Sequence, residues 1–159
     1  MYTKKQRLYK KAERILGDKT PLKKDCGLLC GGACCKGDRE TGMLLFPGEQ
    51  TSLDIIEKDG VRLAVCDGKC DREERPLSCR IFPLTPYRKN GRIKLIMNPA
   101  AKKMCPLARS LQPSQLEEAF EENVMRAMNR IQKLKDGDDY IDMLTEIADQ
   151  FEEMNKKLR

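Results

Sequence analysis

Hydrophobic positions along the chain fall into three rhythms. Near the amino end Leu8, Ala12, Ile15 and Leu16 recur about once per helical turn, which predicts an amphipathic helix. Gly17 is its expected stop, with Pro21 shortly beyond. Toward the carboxyl end Leu116, Ala119, Phe120, Val124, Ala127, Met128, Ile131 and Leu134 trace one helical stripe. A second stripe runs through Ile141, Leu144, Ile147, Ala148, Phe151, Met154 and Leu158. Together they predict a helical hairpin. Pro113 and Ser114 are expected to open it, with Ser114-x-x-Glu117 as a capping box. Lys133 and Lys135 suit the end of the first helix and Gly137 a left-handed cap. Asp138 or Asp139 is then the expected start of the second.

The middle of the chain has a shorter period and more turns. Ile55–Leu63 predicts a β-hairpin turning at Asp59-Gly60, and Tyr87–Ile93 another at Asn90-Gly91. The coarse fold is therefore α+β: a small cysteine-rich core with short hairpins, flanked by an N-terminal helix and a C-terminal helical hairpin. The expected divisions are residues 1–24, 25–110 and 111–159.

Charge follows the same divisions. The first stretch carries nine Lys/Arg against two acids, the second fifteen against eleven and the third seven against twelve. The basic first helix presents either a solvated face or a docking surface for acidic partners or for the acidic tail. The two C-terminal helices either pack onto the cysteine-rich middle or form a homodimer interface, since both have an apolar face.

Eight cysteines within 159 residues change the picture most. The first 24 residues hold no apolar run of signal-peptide length, and no stretch reaches the roughly 18 apolar residues that span a bilayer. The expectation is a cytoplasmic protein without a membrane partner. In a reducing compartment clustered thiols serve as metal ligands more often than as disulfides. Histidine is absent, so the commonest general base and mixed Cys/His sites are both excluded. Aromatic residues are only 5% of the chain, and a metal is a sensible supplement to a thin core.

The cysteines form two groups. The first is Cys26, Cys30, Cys34 and Cys35, with Gly27, Gly31, Gly32 and Gly37 among them. Glycine permits tight turns and lets backbone N–H groups approach sulfur. The second is Cys66, Cys70 and Cys79, completed by Cys105. All eight are candidate metal ligands. The adjacent pair Cys34-Cys35 points to opposite sides in an extended segment, which suits feeding two metals, or serving one cluster while the other cysteine reaches elsewhere, better than sharing one ion. A vicinal disulfide is the strained alternative. Eight thiols make two sets of four, as zinc or an iron–sulfur cluster requires. Two such zinc sites add eight negative and four positive charges, so the formal net charge of +6 falls to +2. A nucleic-acid partner is correspondingly disfavoured.

Cys26-x3-Cys30-Gly31-Gly32-Ala33-Cys34-Cys35 and Cys66, followed by Cys70 and the segment Arg75-Pro76-Leu77-Ser78-Cys79-Arg80-Ile81-Phe82-Pro83, resemble the YkgJ-like cysteine-cluster family over roughly residues 25–108. That family is described as a zinc- or iron-chelating domain. The chain departs from its pattern in the first group, where the gaps are three residues rather than two. The cluster is also similar to one in the longer flagellin lysine N-methylases.

The resemblance implies chelation by the eight cysteines, in a structural or partner-presenting role. An iron–sulfur component of a methylase-like or electron-transfer system is the alternative. No Gly-rich S-adenosylmethionine loop follows a strand and histidine is absent, so an enzyme is disfavoured, with methyltransferase-like activity the remaining possibility. Around Cys79, Pro76 and Pro83 predict a short rigid turn, and Phe82 is expected beside the site. Arg75 and Arg80 either offset thiolate charge or pair with Asp71, Glu73 or Glu74. Glu49 is read as a surface carboxylate in preference to an acid or base.

Overall fold

The computed structural model describes residues 1–22, 42–66 and 72–158. Helix α1 (Lys4–Leu16) opens on a reciprocal capping box. The Gln6 N–H donates to Thr3 Oγ1 at 3.1 Å, and the Thr3 N–H donates to Gln6 Oε1 at 2.9 Å. Gly17 ends the helix at φ +56°, as expected of its stop residue. Its buried face is Tyr9, Ala12 and Leu16, with Leu8 and Ile15 partly covered beside them.

Three short strands follow: β1 (Met43–Leu44), β2 (Asp54–Lys58) and β3 (Val61–Val65). They form an antiparallel sheet in the order β1-β3-β2. The β2–β3 hairpin turns at Asp59-Gly60, with φ +52° and +79°. A second hairpin, β4 (Leu84–Lys89) and β5 (Arg92–Met97), turns at Asn90-Gly91, with φ +54° and +75°. Both turns need positive φ at two successive positions, which Asp-Gly and Asn-Gly supply at low strain. Between the hairpins lies the short helix α2 (Leu77–Ile81), preceded by a 3₁₀ turn at Arg72–Glu74.

After β5 a 3₁₀ segment (Pro99–Lys103) leads into α3 (Pro106–Ser110), then α4 (Glu118–Ile131) and α5 (Lys135–Lys157). The mixed α+β architecture with short antiparallel hairpins is as the sequence predicts. One core collects Tyr9 and Leu16 from α1, Phe46, Leu77 from α2, Leu84 from β4, and Phe120, Val124, Met128 and Ile131 from α4. Helix α4 lies along α1, whereas α5 crosses the β4–β5 hairpin. That crossing is polar: the Arg88 N–H donates to Thr145 Oγ1 at 2.9 Å, Arg88 Nε to Asp142 Oδ1 at 2.5 Å, and Tyr87 Oη to Asp149 Oδ1 at 2.7 Å.

The helix boundaries of the tail differ from expectation. The Ser114–Glu117 capping box does not form. A 3₁₀ turn occupies Pro113–Gln115, where the Gln112 N–H donates to Gln115 Oε1 at 2.7 Å. Burial of Leu116 turns the chain there, and the Glu117 N–H goes to the Pro21 carbonyl at 2.8 Å. Gly137 does not cap α4. It is buried in the first turn of α5, which begins at Lys135 rather than at Asp138 or Asp139. Its α-carbon is pressed so closely on the Ile131 carbonyl that an added Cβ would overlap that oxygen. Glycine serves close packing here rather than a left-handed turn.

Candidate metal centre

Of the eight candidate ligands, Cys26, Cys30, Cys34, Cys35 and Cys70 lie outside the described residues. Cys66 directly follows β3 and is half-buried. Cys79 sits in the middle of α2, also half-buried. Cys105 caps α3 and is buried in the core beside Ala101 and Leu107. Among the described residues no three cysteine or carboxylate side chains gather into a group able to hold an ion.

The surroundings of Cys79 are nonetheless specific. Pro76 fixes the residue before α2, and Phe82 ends the helix with its N–H donating to the Ser78 carbonyl at 3.1 Å. Cys79 opens onto a groove of about 460 Å³ between α2 and the end of α1. Arg14, Arg75 and Arg80 line it with Glu13, Asp18 and Glu73, and Phe82 lies beside the cysteine. Among the described residues Arg80 forms no ion pair with a carboxylate. Its Nε donates to the Arg75 carbonyl at 2.7 Å and a terminal nitrogen to the Glu73 carbonyl at 2.6 Å, closing the turn before α2.

Pro21, just before the first cysteine group, lines the same groove. On the far side of that group, Gly42 lies so close to β3 that an added Cβ would stand 2.5 Å from the Ala64 carbonyl. Met43 then pairs with Ala64, two residues before Cys66. Pro21 thus borders the groove onto which Cys79 opens, and Gly42 and Met43 lie against the strand that leads into Cys66.

Glu49 is the functional-looking residue that the sequence placed wrongly. It is 1% exposed, not a surface carboxylate. One carboxyl oxygen accepts the Leu77 N–H at 2.7 Å and the other the Phe46 N–H at 2.9 Å. Its own carbonyl accepts from Arg62 at 3.0 Å. Burial pushes the carboxyl up to about 7, against the opposing pull of the two N–H bonds and of Arg62; Glu13 adds to the rise. Phe46 lies against Tyr9 at a centroid distance of 6.5 Å, and the Tyr9 hydroxyl donates to the Pro47 carbonyl at 2.5 Å. Burial, and then the charge of Glu49, hold the Tyr9 and Tyr140 hydroxyls well above the ordinary phenol range.

The available signal for this burial was the run Met43-Leu44-Leu45-Phe46 ahead of the Pro47-Gly48 turn, which draws the turn into the core. With both oxygens accepting backbone N–H groups and no exposure to water, the carboxyl is built to hold structure rather than to trade protons with a substrate. Among the described residues no helix is long and apolar enough to cross a membrane. Comparison with known proteins finds no matching family model, no similar curated protein and no matching solved structure.

Proposed function

We propose that the chain is a metal-binding protein that chelates zinc or an iron–sulfur cluster through its cysteines, in a structural or partner-presenting role. The observation that carries this reading is where the described chain lies on either side of the first cysteine group. Pro21 shares a groove with Cys79, and Gly42 is pressed on the strand that leads into Cys66. Thiolates must come within about 2.3 Å of one ion, and fixing both flanks of the intervening chain lowers the entropy lost in bringing them there.

The chemistry of the donor set agrees. Half-buried Cys66 and Cys79 can reach an ion while remaining shielded, and Arg14, Arg75 and Arg80 supply positive charge that favours thiolate. Cys26, Cys30, Cys34, Cys35, Cys66, Cys70, Cys79 and Cys105 are the residues that would hold the metal. Bound zinc would fix the fold without redox chemistry, whereas an iron–sulfur cluster would carry single electrons. The resemblance to the YkgJ-like cluster supports the same class.

Metal analysis after anaerobic purification tests the reading. A colourless protein with stoichiometric zinc, or a brown one with iron and sulfide, supports it. Cys79→Ser should lower bound metal and melting temperature together. A metal-free wild type, or an unchanged metal content in that variant, overturns the assignment.

A further inference from the structure

Glu49 connects the two parts of the chain that carry the cysteine groups. It lies in the turn that follows β1, and β1 is the first described element after the first group. Its carboxyl reaches across to Leu77, the opening residue of α2, at 2.7 Å. Cys79 is two residues further on. Pro76 in front of α2 has no N–H, and no neighbouring side chain caps the helix. Glu49 therefore supplies from a distant stretch the cap that α2 lacks locally. A second link runs in parallel, where the Ser78 hydroxyl donates to the Leu44 carbonyl of β1. Two successive residues of α2, directly ahead of Cys79, are thus bonded to the stretch leaving the first cysteine group.

We propose that Glu49 is a positioning residue for the thiolate site, fixing Cys79 through Leu77 against the strand that leaves the first cysteine group. The inference rests on the reading of Cys79 as a metal ligand. The geometry demands a carboxyl group. It offers an acceptor to each of two backbone donors, 2.7 and 2.9 Å away. A glutamine of the same length has one oxygen and one amide nitrogen, so one backbone N–H would face another donor. Helix α2 would then lose either its cap or the turn at Phe46 that holds the cap in place.

The test compares the metal-loaded wild type with Glu49→Gln, Cys79→Ser and Val124→Ala. Val124 is fully buried in α4 and reports a loss of stability without a change at the site. The readouts are the rate at which a chelator extracts the metal and the sulfur-to-metal absorption, measured on the iron form or on the cobalt-substituted zinc form. Glu49→Gln should release metal roughly 10- to 100-fold faster and shift the absorption in the direction of Cys79→Ser. Val124→Ala should lower the melting temperature and leave both readouts in place. Wild-type behaviour of Glu49→Gln beside an altered Cys79→Ser overturns this inference alone. A wild type without metal, or an unaltered Cys79→Ser, overturns the underlying reading and this inference with it. If Glu49→Gln does not fold, Glu49→Asp, which keeps both acceptor oxygens on an arm too short to reach Leu77 and Phe46 alike, should show the same shift to a smaller degree; unchanged readouts there overturn the proposal.

Discussion

Phe46 and Tyr140 meet with ring centroids 4.8 Å apart and planes tilted by 55°. This contact carries the start of α5 onto the turn that holds Glu49. Tilted pairs at this spacing add about 0.5–1.5 kcal/mol beyond their burial. The Tyr140 hydroxyl gains nothing in return, since it is buried with no hydrogen-bond partner among the described residues. Tyr140→Phe keeps the ring contact and removes the stranded polar group. It is expected to stabilise the protein by about 1 kcal/mol, since a buried unpaired group costs about 1–3 kcal/mol. Melting curves should show a rise of roughly 2–4 °C, and a fall would contradict the packing described.

Glu49 gives stability a pH dependence of definite sign. Its carboxyl titrates near 4.5 in an unfolded chain and at about 7 when folded. The folded state therefore holds this proton more tightly, and stability falls as pH rises wherever it does so. The contribution is complete below about pH 4.5 and is lost as pH climbs through about 7. Denaturant titrations of wild type and Glu49→Gln between pH 5 and 8, in chelator and reductant, should show the wild-type advantage shrinking with pH. A gap that widens over that range would contradict the burial of this group.

Gly137 offers a test in which two effects oppose each other. In an exposed helix, glycine to alanine gains about 1 kcal/mol. Here the new Cβ would meet the Ile131 carbonyl and its side chain, which belong to the packed end of α4. Overpacking of that kind costs about 1–3 kcal/mol, so Gly137→Ala should destabilise despite its helix propensity. Urea denaturation reads the sign directly.

Arg88 joins α5 to β4 through Asp138, which is half-buried, and Asp142, which is exposed. Ion pairs with exposed partners are worth about 0–1 kcal/mol each. Arg88→Ala should cost roughly 1 kcal/mol, with the difference shrinking in 0.5 M salt, because the backbone bond from Arg88 to Thr145 survives the change. A loss of several kcal/mol would mean that the pair is shielded from water.

Local chemistry was legible in the sequence, and long-range packing was not. Asp59-Gly60 and Asn90-Gly91 announce their turns because few residue pairs tolerate two successive positive φ angles. The stripes of α1 and α4 were legible because burial repeats with the helical period, whereas that of α5 holds only as far as Ala148, and Met154 and Leu158 stand in solvent. Gly137 and Ser114 misled for one reason: both fit a familiar local signal. Their true roles depend on Ile131 and Pro21, the latter far away in sequence. Glu49 was misplaced because its partner Leu77 lies 28 positions on. Tyr9 and Tyr140 were overlooked as core residues, since tyrosine does not announce which of its ends will be wet.

The packing of α1 on α4 reaches beyond the two helices. Removing the first sixteen residues would strip α1 from α4 and uncover part of the apolar face of α4. Shortened versions that begin at the cysteines should consequently aggregate or be degraded, however well they retain the thiols. Affinity tags belong at the carboxyl end, where Met154 and Leu158 already stand in solvent.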